Sequence, residues 1–249
     1  MTVITPSSFK WILGGLVLIL CVAAMTTRFR QDKPSKDIPR KEIISLQTLS
    51  FNEEDRIGEK GYACFIQACA VCHGQSGQGR IEIFAPSLAG MPEWYHNKQM
   101  AMFMDGRRKA LPEEGHGHSY GDLMIRFSKQ IEPEELKKLA AYYARLTPFK
   151  IKDLFGGDAK KGRNIYNGRG ACINCHLNDG NGKKDAGAPP ITIIPGWYFL
   201  RQMKAFREGY RGAHTKEEIT QCMVRAANRL NEDDCKDLVA YLAELAGNK

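Results

Sequence analysis

The chain has 249 residues, 43% hydrophobic and 26% charged, which excludes a disordered or coiled-coil protein and leaves room for two domains of about 100 residues each. Its formal charge of +8 is uneven: residues 1–53 hold seven basic against four acidic side chains, residues 54–148 are balanced at twelve each, and residues 149–249 hold seventeen against twelve. No nucleic-acid motif accompanies that basic surplus, so it reads as a solvated surface or a face for an acidic partner.

The first element in chain order is apolar. "WILGGLVLILCVAAMTT", Trp11 to Thr27, runs 17 residues without a charge, about 25 Å as a helix, which is just long enough to cross a bilayer. A cleaved signal peptide is the competing reading, since Lys10 precedes the stretch and Ala23-Ala24 supplies small residues. The length of the run and the lack of a clear cleavage site favour an uncleaved anchor within residues 1–30. Leu20 before Cys21 excludes a lipoprotein cysteine. Residues 31–53, polar and containing Pro34 and Pro39, read as a tether.

Next come two matching pentads, Cys69-x-x-Cys72-His73 in "ACAVCHG" and Cys172-x-x-Cys175-His176 in "ACINCHL". Cysteines three apart share one face of a helical turn, so both sulfurs can form thioethers to one porphyrin while the adjacent histidine ligates the iron. A zinc site would need further Cys or His pairs at finger spacing, which the chain lacks. The expected cofactors are therefore two covalently bound haem c groups, whose propionates offset part of the positive charge. Of the eight cysteines, Cys21, Cys64, Cys222 and Cys235 are left over.

A shift of 103 residues brings the two halves into register: the pentads, Pro86 with Pro189, Trp94-Tyr95 with Trp197-Tyr198, Gln99-Met100 with Gln202-Met203, Phe103 with Phe206, and Gly106 with Gly209. Beyond a four-residue contraction the shift is 99, pairing Met124 with Met223 and Tyr142 with Tyr241. One unit has been duplicated, giving domains at 54–148 and 149–249. The length change between Gly106 and Met124 predicts a loop there. "EWYHNKQMAMFMDG" and "GWYFLRQMKAFREG" read as helices closed by glycine. The last segment of each unit is an amphipathic helix, with Leu136, Leu139, Ala140 and Tyr143 in the first and Leu238, Val239, Leu242 and Leu245 in the second facing a core. Pro133 suits a first turn, and Asn231 with Asp234 an N-cap. The class is all-α.

An iron with one histidine needs its sixth position filled for electron transfer or open for catalysis. Two methionine pairs are in register. Met100 and Met203 lie within a periodic helix, where methionine fills core gaps. Met124 and Met223 follow their histidines by 51 and 47 residues and precede the closing helix, from where they can approach the opposite haem face. His116 and His118 in "EEGHGHSYGDLM" are the rival ligands for the first haem, although a histidine in a Gly-rich loop is usually solvated. Cys235 falls on an apolar stripe and reads as a small core residue; a Cys222–Cys235 disulfide is the alternative in an oxidising compartment. Cys64 reads as a buried thiol.

From about residue 54 to 247 the chain resembles the class I cytochromes c, in particular the dihaem cytochrome c4 type. The likeness rests on "CAVCHG" and "CINCH", on "APSLAG" and "APPITIIPG", on Tyr95-x-x-x-Gln99 and Tyr198-x-x-x-Gln202 followed by Phe and Gly, and on a methionine before "EPEELKKLAAYY" and "NEDDCKDLVAYL". The resemblance implies that Met124 and Met223 are the distal ligands and that Pro86 and Pro189 offer a backbone carbonyl to the proximal histidine. It places Tyr95, Gln99, Tyr198 and Gln202 in the haem environment. Leu123-Met124 and Cys222-Met223 depart from the family's paired methionines, and the anchor is not shared by its soluble members.

The resemblance further implies an electron carrier rather than an enzyme. The expected donor is a quinol-oxidising complex or a dehydrogenase, and the expected acceptor a terminal oxidase or reductase. A subunit of a larger complex, or a dihaem enzyme such as a peroxidase or thiosulfate dehydrogenase, are the other readings. Haem c attachment in the family implies the periplasmic side of the bacterial cytoplasmic membrane. Basic residues after the apolar segment argue the opposite orientation, but long domains cross largely regardless of charge.

Overall fold

In both halves the last helix follows the apolar spacing of its sequence. The computed structural model describes residues 68–112 and 120–247, all within one compact unit, Pro39–Lys249. In the first half, residues 68–73 form α1, followed by a 3-10 turn at Ile81–Ile83, α2 (Glu93–Met104), α3 (Tyr120–Ser128) and α4 (Pro133–Arg145). In the second, α5 (Ala159–Asn167) precedes α6 (Ile173–His176), a 3-10 turn at Lys184–Ala186, α7 (Gly196–Arg207), α8 (Glu218–Asn228) and α9 (Glu232–Leu245). The fold is mostly helical; the described residues contain isolated bridges but no strand.

The helix ends use local chemistry. α4 starts on Pro133, whose missing N–H costs nothing in a first turn. α9 carries a reciprocal capping box: the Asp234 N–H donates to Asn231 Oδ1 at 2.8 Å and the Asn231 N–H to Asp234 Oδ2 at 3.0 Å. Asp158 caps α5 by accepting from the Lys160 and Lys161 N–H groups. The apolar spacing did not single out α5, because only Ile165 and Tyr166 supply its large buried face.

Two cores result. In the first half α2 packs on α3 and α4, and Leu139, Tyr142 and Tyr143 are buried with Cys69, Leu88 and Leu146 at the edge. In the second, α9 packs on α5 and α7, and α8 on α7, burying Tyr166, Met203, Phe206, Leu238, Val239 and Leu242. Of the eight predicted core positions, Leu136 and Leu245 are only half-buried.

One expectation is narrowed and one changes. The region of the length change is non-helical through residue 112, as expected, and helix resumes at Tyr120, so Met124 lies inside α3, and Met223 inside α8. Both segments are strongly amphipathic, and the helices need that face packed. The Cys222–Cys235 disulfide is not formed: both thiols are free, Cys222 exposed and Cys235 buried. The reason is direction. Cys222 Sγ faces Arg225 Nη2 at 3.1 Å on the solvent side, while Cys235 lies in the core.

Among the described residues no helix is long and apolar enough to cross a membrane. The segment Trp11–Thr27, the tether, Cys64, His116 and His118 lie outside the described residues.

Candidate functional site

Each pentad ends a helical turn and is followed by the same tight loop. His73 Nδ1 donates to the Pro86 carbonyl at 2.8 Å, and His176 Nδ1 to the Pro189 carbonyl at 2.9 Å. A carbonyl only accepts, so the proton sits on Nδ1 and the Nε2 lone pair is left for a metal. Burial lowers both imidazole pKa values below the ordinary histidine value, with the carbonyl contact opposing it; both rings are therefore neutral at physiological pH. The loops are clamped by the bridges Arg80–Ala85 and Lys183–Ala188, again 103 residues apart. Gly79 and Gly182 sit at φ +82° and +72° directly against these proline segments, with no room for a Cβ.

None of the four pentad cysteines is in a disulfide. Burial, followed by the neighbouring Cys72, pushes Cys69 up to about 11, and burial pushes Cys172 up to about 11 and raises Cys72. A redox dithiol depends on a thiolate with a depressed pKa, and Cys69, Cys72 and Cys172 are shifted the other way. Nor does any group of three His, Cys, Asp or Glu converge for a metal among the described residues. Covalent capture of a porphyrin beside a neutral histidine fits this chemistry, whereas a dithiol or zinc site does not.

Met223 is half-buried and packs against the second core, at whose edge Cys172 and Ile173 also lie. Met124 is half-buried on α3, the helix packed on α2. Met203 is a fully enclosed core residue of α7; Met100, its register mate, is half-buried on α2.

Tyr95, Gln99, Tyr198 and Gln202 come together at the seam between the halves, around two arginines that the sequence reading passed over. Arg108 donates from Nη1 to Gln99 Oε1 at 2.6 Å, and from Nη2 to the Tyr198 hydroxyl at 2.6 Å and Gln202 Oε1 at 3.1 Å. Arg211 mirrors it, donating from Nη1 to Gln202 Oε1 at 2.7 Å, and from Nη2 to the Tyr95 hydroxyl at 2.6 Å and Gln99 Oε1 at 3.2 Å. The guanidiniums stack on Phe103 at 4.4 Å and Phe206 at 4.5 Å, and the two backbones bridge at Arg108 and Arg211. Arg108 and Arg211 are themselves 103 residues apart. That identity was the available signal, but the register alone does not show that each crosses to the other half. Lys98 and Arg201 repeat the pattern: Lys98 pairs with Glu217 at 2.6 Å, and Arg201 stacks over Phe84 at 4.6 Å.

The halves differ on the proximal side. His96, on α2, donates from Nε2 to the Leu88 carbonyl at 3.1 Å and lies against Tyr143; its register mate is Phe199, buried in the second core. Burial lowers the His96 pKa to about 4. The unfolded chain binds a proton there near 6.5 and the folded one does not, so stability is full above about 6.5 and falls as pH drops towards 4, by up to about 3 kcal/mol. Unfolding midpoints measured from pH 7 to 4 are expected to show this loss in the native protein and a flatter dependence in His96→Phe.

Comparison with known proteins agrees with this geometry. The cytochrome c family matches residues 58–147 and 159–246. Cytochrome c4 of Pseudomonas aeruginosa is 32% identical over 182 residues, 71% of this chain and 83% of that protein. A protein of Thiomonas intermedia described as a thiosulfate dehydrogenase electron acceptor is 29% identical over 154 residues, 58% of this chain and 64% of its own. The crystal structure of reduced cytochrome c4 from Pseudomonas stutzeri superimposes with a TM-score of 0.56 at 27% identity, covering 75% of this chain and 98% of that one. Two pentads with carbonyl-held histidines, in two tandem helical domains matched by one family, have a single consistent reading: the chain belongs to the cytochrome c family, as a dihaem electron-transfer protein of the cytochrome c4 type.

Proposed function

We propose that this chain is a membrane-tethered electron carrier on the outer face of a bacterial cytoplasmic membrane, passing electrons from a quinol-oxidising complex or dehydrogenase to a terminal oxidase or reductase. Haem c supplies the one-electron couple when bound. The chain would supply Cys69 and Cys72, or Cys172 and Cys175, for attachment, and His73 with Met124, or His176 with Met223, as the iron ligands. The observation that carries the reading is the repetition: both histidines are held by a proline carbonyl in the same loop, and both halves carry a methionine on the helix preceding the last one. A closed centre of this kind suits electron passage and leaves no position for a reacting substrate.

The tether rests on the uncharged run Trp11–Thr27 and the polar stretch after it. Full-length protein is expected in the membrane fraction, extracted by detergent and not by high salt, while a form lacking residues 1–30 behind a cleavable export signal is expected in the soluble fraction. Salt extraction of the full-length protein would remove the anchor from the proposal.

A role as one component of a larger oxidoreductase is the second reading, favoured by the Thiomonas intermedia relative, whose description is that of an electron acceptor for a dehydrogenase. Stoichiometric co-purification of a partner in mild detergent supports it, and isolation of the cytochrome alone supports the free carrier. Rapid binding of cyanide or peroxide to either iron at neutral pH would replace both readings by a dihaem enzyme.

A further inference from the structure

The two halves support the proximal loop differently. In the first, His96 on α2 donates from Nε2 to the Leu88 carbonyl at 3.1 Å, two residues beyond Pro86, whose own carbonyl holds His73. The ring of Tyr143 on α4 backs the imidazole, 6.1 Å between centroids. Tyr143 also reaches three other parts of the site. Its carbonyl accepts from the Gly90 N–H at 2.9 Å, its hydroxyl faces the Cys69 sulfur as a donor, and its ring lies so close to Gly77 that an added Cβ there would stand 3.0 Å away. The Gly77 carbonyl in turn accepts from the Leu88 N–H at 2.7 Å and from the Ser87 hydroxyl at 3.0 Å. Residues 86–90 are therefore held from three directions: Gly77, α4, and His96 on α2.

In the second half the 103-residue shift puts Phe199 where His96 stands, and the 99-residue shift puts Leu242 where Tyr143 stands. Both are core residues, 8% and 0% exposed, and neither side chain has a polar atom. The loop itself is repeated: the Ile191 N–H donates to the Gly180 carbonyl at 2.8 Å, as Leu88 does to Gly77, and the Pro189 carbonyl still holds His176. An apolar pair is thus sufficient to pack this position, and placing an imidazole and a phenol there costs desolvation that phenylalanine and leucine avoid. Packing does not account for the polar pair in the first half. Its contacts do: they lead to the loop behind His73 and to the attachment sulfur of Cys69.

We propose that His96, backed by Tyr143, is a positioning residue of the first haem site: by holding the Leu88 carbonyl it fixes where the Pro86 carbonyl meets His73, and so sets the potential of the first haem apart from that of the second. A carbonyl held firmly against Nδ1–H makes the imidazole a stronger donor to the iron and favours the oxidised state. Releasing the loop weakens that contact and favours the reduced state. The effect stays with the first haem, because residues 86–90 carry no contact of this kind to His176.

This inference rests on the dihaem reading, and the experiment separates the two. Full-length holoprotein is compared with His96→Phe and His96→Gln. Covalent haem content is measured first: fewer than two haems per chain in the native protein defeats the dihaem reading itself. Spectroelectrochemical titration then reads both potentials. His96→Phe is expected to raise one of them, the same one that Gly79→Ala displaces through the same loop, and to leave the other in place. Glutamine keeps an N–H that can reach the Leu88 carbonyl, so His96→Gln is expected to stay near the native potential. Hydrogen exchange at the Leu88, Ala89 and Gly90 amides is expected to quicken in His96→Phe and much less in His96→Gln. Unchanged potentials in protein with full haem content, a fall instead of a rise, a shift of the other haem or of both, or equal shifts in the two variants overturns the proposal. A purely structural role would lower the unfolding midpoint and leave both potentials where they are. If His96→Phe does not accumulate, His96→Leu, smaller and also without a donor, decides by the same comparison.

Discussion

Replacement of Met124 or Met223 by alanine is expected to lower the potential of one haem, by on the order of 100 mV or more, within the roughly 0.8 V span that axial ligation commands. Thioether sulfur favours the reduced iron, and its loss leaves water or a weak donor in the sixth position. Each substitution is expected to abolish the sulfur-to-iron absorption band of that haem and leave the other spectrally intact, because the methionines belong to separate helices, α3 and α8, in separate halves. Open sixth positions are also expected to bind cyanide quickly, whereas the native protein is expected to bind it slowly. Spectra and potentials unchanged in both variants would dismiss this ligand assignment and turn attention to Met100, half-buried on α2, and to His116 and His118.

Gly79→Ala is expected to be strongly damaging for so small a substitution. At φ +82° an alanine is strained, and its Cβ would stand 2.6 Å from the Ser87 nitrogen and 2.7 Å from the Ala85 carbonyl oxygen, backbone atoms that cannot swing aside. The segment must move, and it carries the Pro86 carbonyl that holds His73. A cost of about 3 kcal/mol follows from positive φ and displaced backbone together, which is a fall of roughly 10 °C in the unfolding midpoint for a chain of this size. Gly106→Ala is the control: its φ is +77° but no atom lies within 4 Å of the added Cβ, so only the conformational cost of about 1 kcal/mol remains. A loosened Pro86 carbonyl is also expected to change the potential of the first haem, since the tautomer and orientation of its histidine are set there. Equal effects of the two substitutions, read by thermal unfolding and redox titration, would show that the close approach around Pro86 is unimportant.

The acid sensitivity assigned to His96 and the crossed contacts of Arg108 and Arg211 depend on asymmetry and symmetry of the repeat respectively. Where the halves differ, histidine against phenylalanine at one register position, the first half gains a buried titratable group. Where they agree, arginine on arginine, the halves gain a shared charge. Duplication preserves the attachment chemistry, and the seam between the copies then provides contacts that neither copy has alone.

The local chemistry was already present in the order of residues. Cysteines three apart and a following histidine define a covalent haem site through reach along a single turn, apolar spacing places α4 and α9, and closing glycines mark α2 and α7. The 103-residue register shows that one unit occurs twice, and Asn231 with Asp234 starts α9 through contacts three residues apart. All of these depend on separations of a few residues, which the backbone geometry fixes directly. The tertiary structure decided what lies about 100 residues apart. It placed the Tyr-x-x-x-Gln side chains in a seam with the opposite half's arginine, left Cys222 facing solvent while Cys235 went into the core, and set both methionines within helices. Such contacts depend on how whole helices pack and which faces they bury, and chain spacing alone carries no direction across an interface.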